Sequence, residues 1–154
     1  MPDAAAGRGR LLARLDGQWR AFLESFEGLA EGAMLEPGVA GDWSVKDVLA
    51  HVFVWERECM KVLPLLMAGR RAPRYGGIDR FNAEQAALNA RLTLAEAREE
   101  LQRTHERLVE YLQAVPGLNF AGETRQRRRV RWDTYGHYPL HAGAIRAWRK
   151  LRGL

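Results

Sequence analysis

The four histidines of this 154-residue chain are the side chains whose type and spacing most directly indicate chemistry. His137 and His141 are four residues apart, so on a helix both rings lie on one face and point toward a common centre. Ile145 and Trp148 continue that face, which should therefore turn toward a core. Buried imidazoles cost free energy unless their nitrogens find partners, and a divalent metal ion would satisfy both rings. The alternative is an HxxxH spacing that arises by chance.

His51 and His105 are the two remaining candidates for such a site. At about 100° per residue, His51 lies roughly 60° from the centre of the apolar stripe of its helix, between Val48 and Trp55. It is either a third ligand from a neighbouring helix or a core histidine that is satisfied elsewhere. His105 falls on the inner stripe of a later helix, four residues after Leu101. It is a fourth ligand, a partner of a ligand, or a packed histidine.

The sequence identifies no complete set of general acid, general base and nucleophile, so the catalytic residues are unknown from the sequence. Five side chains are candidates for a pocket beside the histidines: Trp55, Glu58, His105, Tyr135 and Tyr138. Glu58 follows His51 by two helical turns, so it is a carboxylate that hydrogen-bonds a metal ligand, a general base near a metal-bound water, or a solvated edge residue. The two tyrosines flank His137, where they either donate protons to a substrate or pack at the mouth of a bundle.

One basic segment accounts for the net charge of +5. Arg125–Arg131 (RQRRRVR) holds five arginines and no acid, which leaves nineteen basic and nineteen acidic residues in the rest of the chain. Arginine binds phosphate and carboxylate groups well. The segment is therefore a strip for nucleic acid, a recruiting surface for an anionic small molecule, or a solvated loop. Because the rest of the chain is neutral, we expect only weak, nonspecific binding to nucleic acid.

Amphipathic helices must position these residues. The sequence predicts a flexible N-terminus over 1–9 and a first helix over 10–29. A second helix begins at Ser44, and Pro64 should kink or end it near Leu63. A short helical piece over 82–89, a third long helix over 93–115 and a last helix within 134–151 follow. The pairs Ser44 with Asp47 and Thr93 with Glu96 are capping-box signals. The best strand candidate, VRW at 130–132, is short. Four long amphipathic helices bury their stripes most economically as a four-helix bundle, so we predict an all-α domain over 10–154.

Two absences bear on the compartment. Cys59 is the single cysteine and cannot form an internal disulfide, which fits a reducing cytoplasm. We expect it to be a packing residue and not a nucleophile. No apolar run is long enough to span a bilayer, and the first residues contain no apolar segment typical of a secretion signal. We therefore expect a cytoplasmic protein.

Two motifs in a fixed order resemble a known family. WSVKDVLAHV at 43–52 is followed about 85 residues later by HYPLHAGAI at 137–145. Together they are similar to motifs of the DinB-like superfamily, which includes the DinB/YfiT proteins, the N-terminal domain of mycothiol-dependent maleylpyruvate isomerase and the ClbS/DfsB proteins. The resemblance implies a four-helix bundle with a divalent metal ion, zinc or nickel, held by one histidine of the second helix and an HxxxH pair of the last. In this chain those ligands are His51, His137 and His141.

The resemblance also implies an activity. It points to a metal-dependent hydrolase, or to a transferase or isomerase that uses a low-molecular-weight thiol as co-substrate. We expect His105 to stay outside the ligand set, which leaves one coordination position open. The alternatives are a non-catalytic stress or resistance protein that sequesters a reactive small molecule, and a structural bundle without metal. The expected partners are a small molecule and, as a candidate, a second copy in a homodimer, with no specific nucleic acid and no membrane.

Overall fold

The structure, a computed structural model, describes residues 2–154 and is built from helices. They are α1 (Pro2–Ser25), α2 (Glu31–Met34), α3 (Val45–Met67), α4 (Ile78–Asn89), α5 (Leu94–Ala114), α6 (Arg125–Asp133) and α7 (Tyr138–Arg152). No strand occurs among the described residues, where Ala40 and Trp43 form an isolated bridge. The prediction of an all-α fold is confirmed.

The four long helices α1, α3, α5 and α7 form the bundle. α3 packs against α5, α1 packs against α7, and α3 also contacts α7. The short helices α4 and α6 both pack on α3. The buried core includes Phe22 of α1, Phe53 and the free Cys59 of α3, Leu108 of α5 and Ile145 of α7. Over residues 2–154, no helix has the length and apolar character needed to cross a membrane.

Side-chain caps determine where α3 and α5 begin. The backbone N–H of Ser44 donates to Oδ2 of Asp47 at 2.9 Å, and the N–H of Asp47 donates to Oγ of Ser44 at 3.2 Å. Thr93 and Glu96 form the same reciprocal pair at the start of α5. Both predicted helix starts are confirmed, because these local hydrogen bonds satisfy donors that the first turn of a helix leaves free. His51 consequently lies in the second turn of α3.

α1 begins and ends earlier than the helix predicted over 10–29. Residues 2–9, predicted to be a flexible N-terminus, belong to α1. Arg8 anchors them to the end of α5: its guanidinium donates to the carbonyl oxygens of Leu112 at 2.8 Å and of Val115 at 2.9 Å. These carbonyls lie at a helix C-terminus, where intrahelical donors are missing. The start of α1 thus depends on the contact between Arg8 and Leu112, which are 104 positions apart in the sequence.

α3 continues through Pro64 to Met67, whereas the sequence predicted an end or a kink near Leu63. Pro64 removes one backbone donor from the helix. Its neighbours Leu63 and Leu66 are nevertheless buried, so packing of this last turn against the core outweighs the missing hydrogen bond.

The basic segment is helical, so its interpretation as a solvated loop was wrong, and residues 130–132, the best but short strand candidate, form no strand, as expected. Oγ1 of Thr124 caps α6 by accepting a hydrogen bond from the N–H of Arg127 at 3.1 Å. Val130 is fully buried in the core. A helix that buries one apolar side chain among five arginines has no apolar periodicity, which explains why the sequence pattern did not reveal it.

Candidate metal centre

Three histidine rings meet where α3 packs beside the start of α7. Nε2 of His137 lies 3.0 Å from Nε2 of His51 and 2.9 Å from Nε2 of His141. One ring nitrogen from each residue lies within 4.8 Å of the other two, so the three could bind one ion. The structure therefore brings together the three residues that the resemblance implied as ligands. We refer to His51, His137 and His141 as the histidine triad.

The backbone at His137 keeps both rings of the HxxxH pair on one face. α7 begins at Tyr138, so His137 is the N-cap residue, yet its φ of −92° and ψ of −45° are helical. Pro139 lies in the first turn, where a backbone donor needs no intrahelical partner. Pro139 therefore leaves the spacing of the two rings intact.

A tight turn between α6 and α7 places His137 beside α3. The N–H of Gly136 donates to the carbonyl oxygen of Arg131 at 2.8 Å, and a Cβ at position 136 would lie 2.8 Å from that same oxygen. The carbonyl oxygen of Thr134 accepts from the N–H groups of His137 at 2.8 Å and of Tyr138 at 2.9 Å. Glycine is thus the residue that allows the close approach by which the turn carries the chain from one helix into the next.

Burial keeps the triad neutral at pH 7. Burial, with a smaller contribution from His141, lowers the pKa of His51 to about 3. Burial also lowers the pKa of His141 to about 4. The pKa of His137 lies well below its ordinary value, first because of burial and then because of the other two rings. Neutral imidazole is the form that binds metal ions.

The hydrogen bonds within the triad leave lone pairs unused. A neutral imidazole carries one N–H, so three Nε2 atoms that face one another cannot all be paired. Nδ1 of His137 is also buried, with no hydrogen-bond partner among the described residues. A cation would engage all three Nε2 lone pairs. Tetrahedral zinc with bonds of about 2.0–2.1 Å requires nitrogens roughly 3.4 Å apart, a few tenths of an ångström beyond the separations seen here. Donor type and spacing therefore fit a divalent ion.

An open cavity of about 290 Å³ adjoins the triad. Four polar side chains line it: His51, Asn82, Asp133 and His137. Four apolar side chains complete the wall: Trp55, Ile78, Trp132 and Leu140. Trp132 is 74% exposed and Leu140 is 69% exposed, so the mouth of the cavity carries an apolar rim. A molecule that contacts His51 and His137 from this side would also contact that rim.

Trp55 is the one predicted pocket residue, apart from the triad, that lines the cavity. Its Nε1 donates to Oδ1 of Asn82 at 2.9 Å, which orients both side chains and ties α4 to α3. The ring also lies edge-on to Phe81, at 5.3 Å between centroids. Trp55 therefore forms a fixed wall beside His51.

Glu58 and Tyr135 do not reach the cavity. The carboxylate of Glu58 accepts hydrogen bonds from Tyr75 at 3.2 Å and from Lys61 at 3.1 Å, so both of its oxygens are engaged. Tyr135 is buried on the side of α1, with the guanidinium of Arg14 5.0 Å from its ring centroid. Neither side chain is placed to act on a molecule bound at the triad.

Tyr138 and His105 belong to a buried polar network in the core. The hydroxyl of Tyr138 donates to Oε1 of Glu56 at 2.9 Å, and Nδ1 of His105 lies 3.1 Å from the same oxygen. The ring of His105 stacks on Trp19 with 3.6 Å between centroids. Tyr138 is fully buried, so it cannot donate a proton to a molecule in the cavity. This network connects α1, α3, α5 and α7 and lies apart from the ligand nitrogens.

Two buried carboxylates were not predicted. Glu56 follows Val52 by four residues and precedes Cys59 by three, so it lies on the apolar stripe of α3. This spacing is the feature of the sequence that could have predicted its burial. Burial raises the pKa of Glu56 more than its hydrogen-bond partners lower it. Asp133 lacks a comparable signal, because α6 was not predicted as a helix. Burial raises the pKa of Asp133 to about 7, although Nε of Arg129 donates to its Oδ2 at 2.6 Å and opposes the shift.

A comparison with protein-family models identifies the family, and comparisons with solved structures identify the fold. Residues 14–147 match the sequence model of the DinB superfamily. The structure is similar to one titled Sibling Lethal Factor Precursor - DfsB, with a TM-score of 0.74 and 14% identity over 94% of this chain and 96% of that one. It is also similar to the crystal structure of an uncharacterised protein from Escherichia coli UTI89, with a TM-score of 0.77 and 15% identity over 96% of this chain and 95% of that one. At these identities the two structures indicate a shared fold. No curated protein matches the sequence.

Proposed function

The chain belongs to the DinB superfamily, and we propose that it binds one divalent metal ion through His51, His137 and His141 and acts on a small molecule beside that ion. The observation that carries the proposal is the convergence of three neutral Nε2 atoms at the wall of an open cavity. Nε2 of His137 is the central atom, 3.0 Å from that of His51 and 2.9 Å from that of His141. Zinc and nickel are the favoured ions because imidazole nitrogen suits both.

A divalent ion held by three neutral ligands would supply Lewis acidity and lower the pKa of a water molecule or thiol bound to it. The protein supplies the position of the reacting molecule. Trp55 and Asn82 fix one wall of the cavity through their hydrogen bond. Trp132 and Leu140, at the rim, would hold an apolar group and exclude water from it.

Asp133 is the residue that we propose to accept and return a proton. It lines the same cavity as His51 and His137. Burial raises its pKa to about 7, so near neutral pH its carboxyl group can serve as either base or acid. The hydrogen bond from Arg129 holds one of its oxygens in place.

Hydrolysis of a small molecule and transfer involving a low-molecular-weight thiol both suit this arrangement. Each reaction requires a nucleophile that loses a proton, and Asp133 would accept it. The cavity of about 290 Å³ has the size of a small-molecule site. A reducing compartment such as the cytoplasm, which keeps thiols reduced, would be a suitable location.

Sequestration of a reactive small molecule without turnover is the second candidate function. It is favoured by the engagement of Glu58, Tyr135 and Tyr138 elsewhere, which leaves Asp133 as the acidic residue at the cavity wall. A sequestering protein would bind its ligand stoichiometrically, whereas an enzyme would release product repeatedly.

The proposal is tested by elemental analysis of protein purified without added metal. The wild type should hold about one divalent ion per chain. His141→Ala should lose most of that metal while its far-UV circular dichroism keeps the helical signal, because the ring of His141 is only partly buried. Leu140→Ala, a change at an exposed neighbour on the same helix, should retain the metal and serves as the control. Full occupancy in His141→Ala would overturn the assignment.

A further inference from the structure

A second cavity, of about 440 Å³, lies beside α6 and carries a concentration of positive charge. Five arginines line it: Arg71 from the loop after α3, and Arg125, Arg128, Arg129 and Arg131 from α6. Its apolar surface comes from Leu66, Ala72 and Trp132. None of these lining residues is acidic. We call this cavity the arginine groove.

Two of the five arginines are paired with acids outside the groove. Nε of Arg129 lies 2.6 Å from Oδ2 of Asp133, and Nη1 of Arg131 lies 3.1 Å from Oε1 of Glu123. These pairs fix the two guanidinium groups, and the acids offset part of their positive charge.

The positive charges of the other three arginines are not offset by an acid within residues 2–154. Arg125 donates to a backbone carbonyl, that of Arg70, at 3.3 Å. The side chains of Arg71 and Arg128 form no hydrogen bond and no ion pair with any residue in 2–154. Like charges held around one groove repel one another. Bound anionic groups would relieve that repulsion, so the groove is electrostatically complementary to an anion.

The shape of the groove and its surroundings favour a small anion over a nucleic acid. The net charge of +5 equals the charge of Arg125–Arg131, because the rest of the chain carries equal numbers of basic and acidic residues, and four arginines of that segment line the groove. Strips that bind single strands combine extended positive charge with several exposed aromatic rings. Trp132 is the one aromatic side chain among the exposed large hydrophobic residues of the described chain. The groove therefore offers one stacking surface beside a cluster of guanidinium groups.

Trp132 also connects the groove to the histidine triad. Its side chain lines both the arginine groove and the cavity beside the triad. Arg129 lines the groove, its guanidinium carbon lies 5.5 Å from the ring centroid of Trp55, and its partner Asp133 lines the other cavity. One indole ring and one ion pair thus contribute to the walls of both cavities.

We propose that the arginine groove binds the anionic group of a small molecule, a carboxylate, sulfonate or phosphate, whose apolar body packs on Trp132. The substrate class of the triad would accordingly be an anionic molecule with an apolar part that reaches over Trp132 into the neighbouring cavity. That second step rests on the proposed function, whereas binding of the anion in the groove does not.

The test compares 1-naphthoate with neutral 1-naphthalenemethanol, by isothermal titration calorimetry on protein made metal-free by dialysis against a chelator. We expect the wild type to prefer the anion. The double variant Arg71→Gln/Arg128→Gln should bind naphthoate about tenfold more weakly or worse, because it loses two charge-assisted contacts. Arg107→Gln, an exposed arginine on α5 away from the groove, is the matched control and should bind like the wild type.

Results of three kinds would overturn the inference. The first is equal affinity for the two probes, or undiminished naphthoate binding by the double variant. The second is binding that requires metal-loaded protein, which would place the carboxylate at the triad. The third is submicromolar affinity for a single-stranded oligonucleotide at physiological salt, which would identify the groove as a nucleic-acid surface. A protein that binds naphthoate but no metal would refute the proposed function and leave the arginine groove standing as an anion site.

Discussion

Glu56 has one carboxylate oxygen that is satisfied and one that is not. Oε1 accepts from Tyr138 and faces His105, while Oε2 is buried without a hydrogen-bond partner among the described residues. A charged carboxylate in this position is penalised by desolvation, which explains why burial dominates the rise in the pKa of Glu56. The residue should therefore make the stability of the fold depend on pH.

Glu56→Gln should remove part of that pH dependence. Because the pKa of Glu56 is raised in the folded state above the ordinary value of 4.5, the folded protein retains this proton at pH values where the unfolded chain has lost it. The resulting contribution to stability is complete below the unfolded pKa and is lost as pH rises through the folded pKa. Within that window it falls by up to about 1.4 kcal/mol per pH unit. Glutamine carries no such proton, so the variant should gain stability relative to the wild type as pH rises.

Urea unfolding of both proteins between about pH 5 and about pH 8 measures this difference in the free energy of unfolding. Glu24→Gln, an exposed site on α1, is the control and should follow the wild type at every pH. Parallel curves for Glu56→Gln and the wild type would contradict the prediction.

Neighbours of a ligand in the sequence proved to be poor guides to its neighbours in space. The ring of His137 faces the other two histidines, but the side chain of Tyr138 points into the core. Successive residues of a helix point about 100° apart. Glu58 lies on the same line of α3 as His51, yet Tyr75 from a distant loop engages its carboxylate. The pairing of His137 with His141 was accessible from the sequence because the two residues lie one turn apart on one helix face, whereas His51 was assigned through the family resemblance. Asp133 was not, because its position depends on how α6 packs against α3.

At the scale of elements, the turn between α6 and α7 links the two halves of the candidate site. α6 contributes Asp133 and Trp132 to the cavity, and α7 follows immediately with the HxxxH pair. Gly136 lies between the two helices. A Cβ added at this position would lie 2.8 Å from the carbonyl oxygen of Arg131. Distortion of this turn should therefore disturb both the stability of the protein and the triad.

Gly136→Ala should destabilise the protein and weaken metal binding. The added Cβ meets the carbonyl oxygen of Arg131, so the turn must shift, at a cost of about 1–3 kcal/mol. His137 would move with the turn. Gly143→Ala on α7 is the matched control, because its Cβ would meet nothing within 4 Å. It should leave metal binding unchanged and stabilise the helix by up to about 1 kcal/mol. Thermal unfolding and metal titration of the two variants provide the comparison, and equal behaviour would contradict the role assigned to the turn.

Element boundaries were predictable where local chemistry determines them. The capping boxes at Ser44 and Thr93 were visible in the sequence and mark the starts of α3 and α5. The start of α1 was not visible, because it depends on Arg8 reaching the carbonyls at the end of α5. α6 was missed for a different reason: Thr124 is a cap signal, but the helix behind it buries Val130 among charged side chains and shows no apolar stripe.

At the scale of the whole molecule, the bundle brings the triad together and the short helices enclose it. α3 and α7 carry the three histidines, while α4 and α6, both packed on α3, supply Asn82, Asp133 and Trp132 to the cavity. Four amphipathic stripes sufficed to predict the bundle, since burial of those stripes leaves few arrangements. They did not predict the cavity, which forms where two short helices with weak apolar patterns cover one side of α3.

An open coordination position would distinguish the metal site of an enzyme or a binding protein from a purely structural metal site. His105 is held in the network with Glu56, and Asp133 is held by Arg129, so neither is free to complete the ligand set of the triad without breaking a buried contact. A structural site would instead be closed by a fourth side chain. We therefore expect an exogenous ligand to reach the metal through the cavity lined by His51 and His137.

Cobalt(II) bound to the triad should report that access through its visible absorption spectrum. Addition of azide or 2-mercaptoethanol to the cobalt form of the wild type should change the spectrum, because a small anion or thiol can occupy the open position. His141→Ala should bind little cobalt and provides the baseline. A wild-type spectrum that stays fixed, together with a responsive spectrum in Asp133→Asn, would mean that Asp133 leaves Arg129 and closes the site. In that case Asp133 would be a ligand and could not serve as the proton acceptor, and the metal would stabilise the junction of α3, α6 and α7 without access to a substrate.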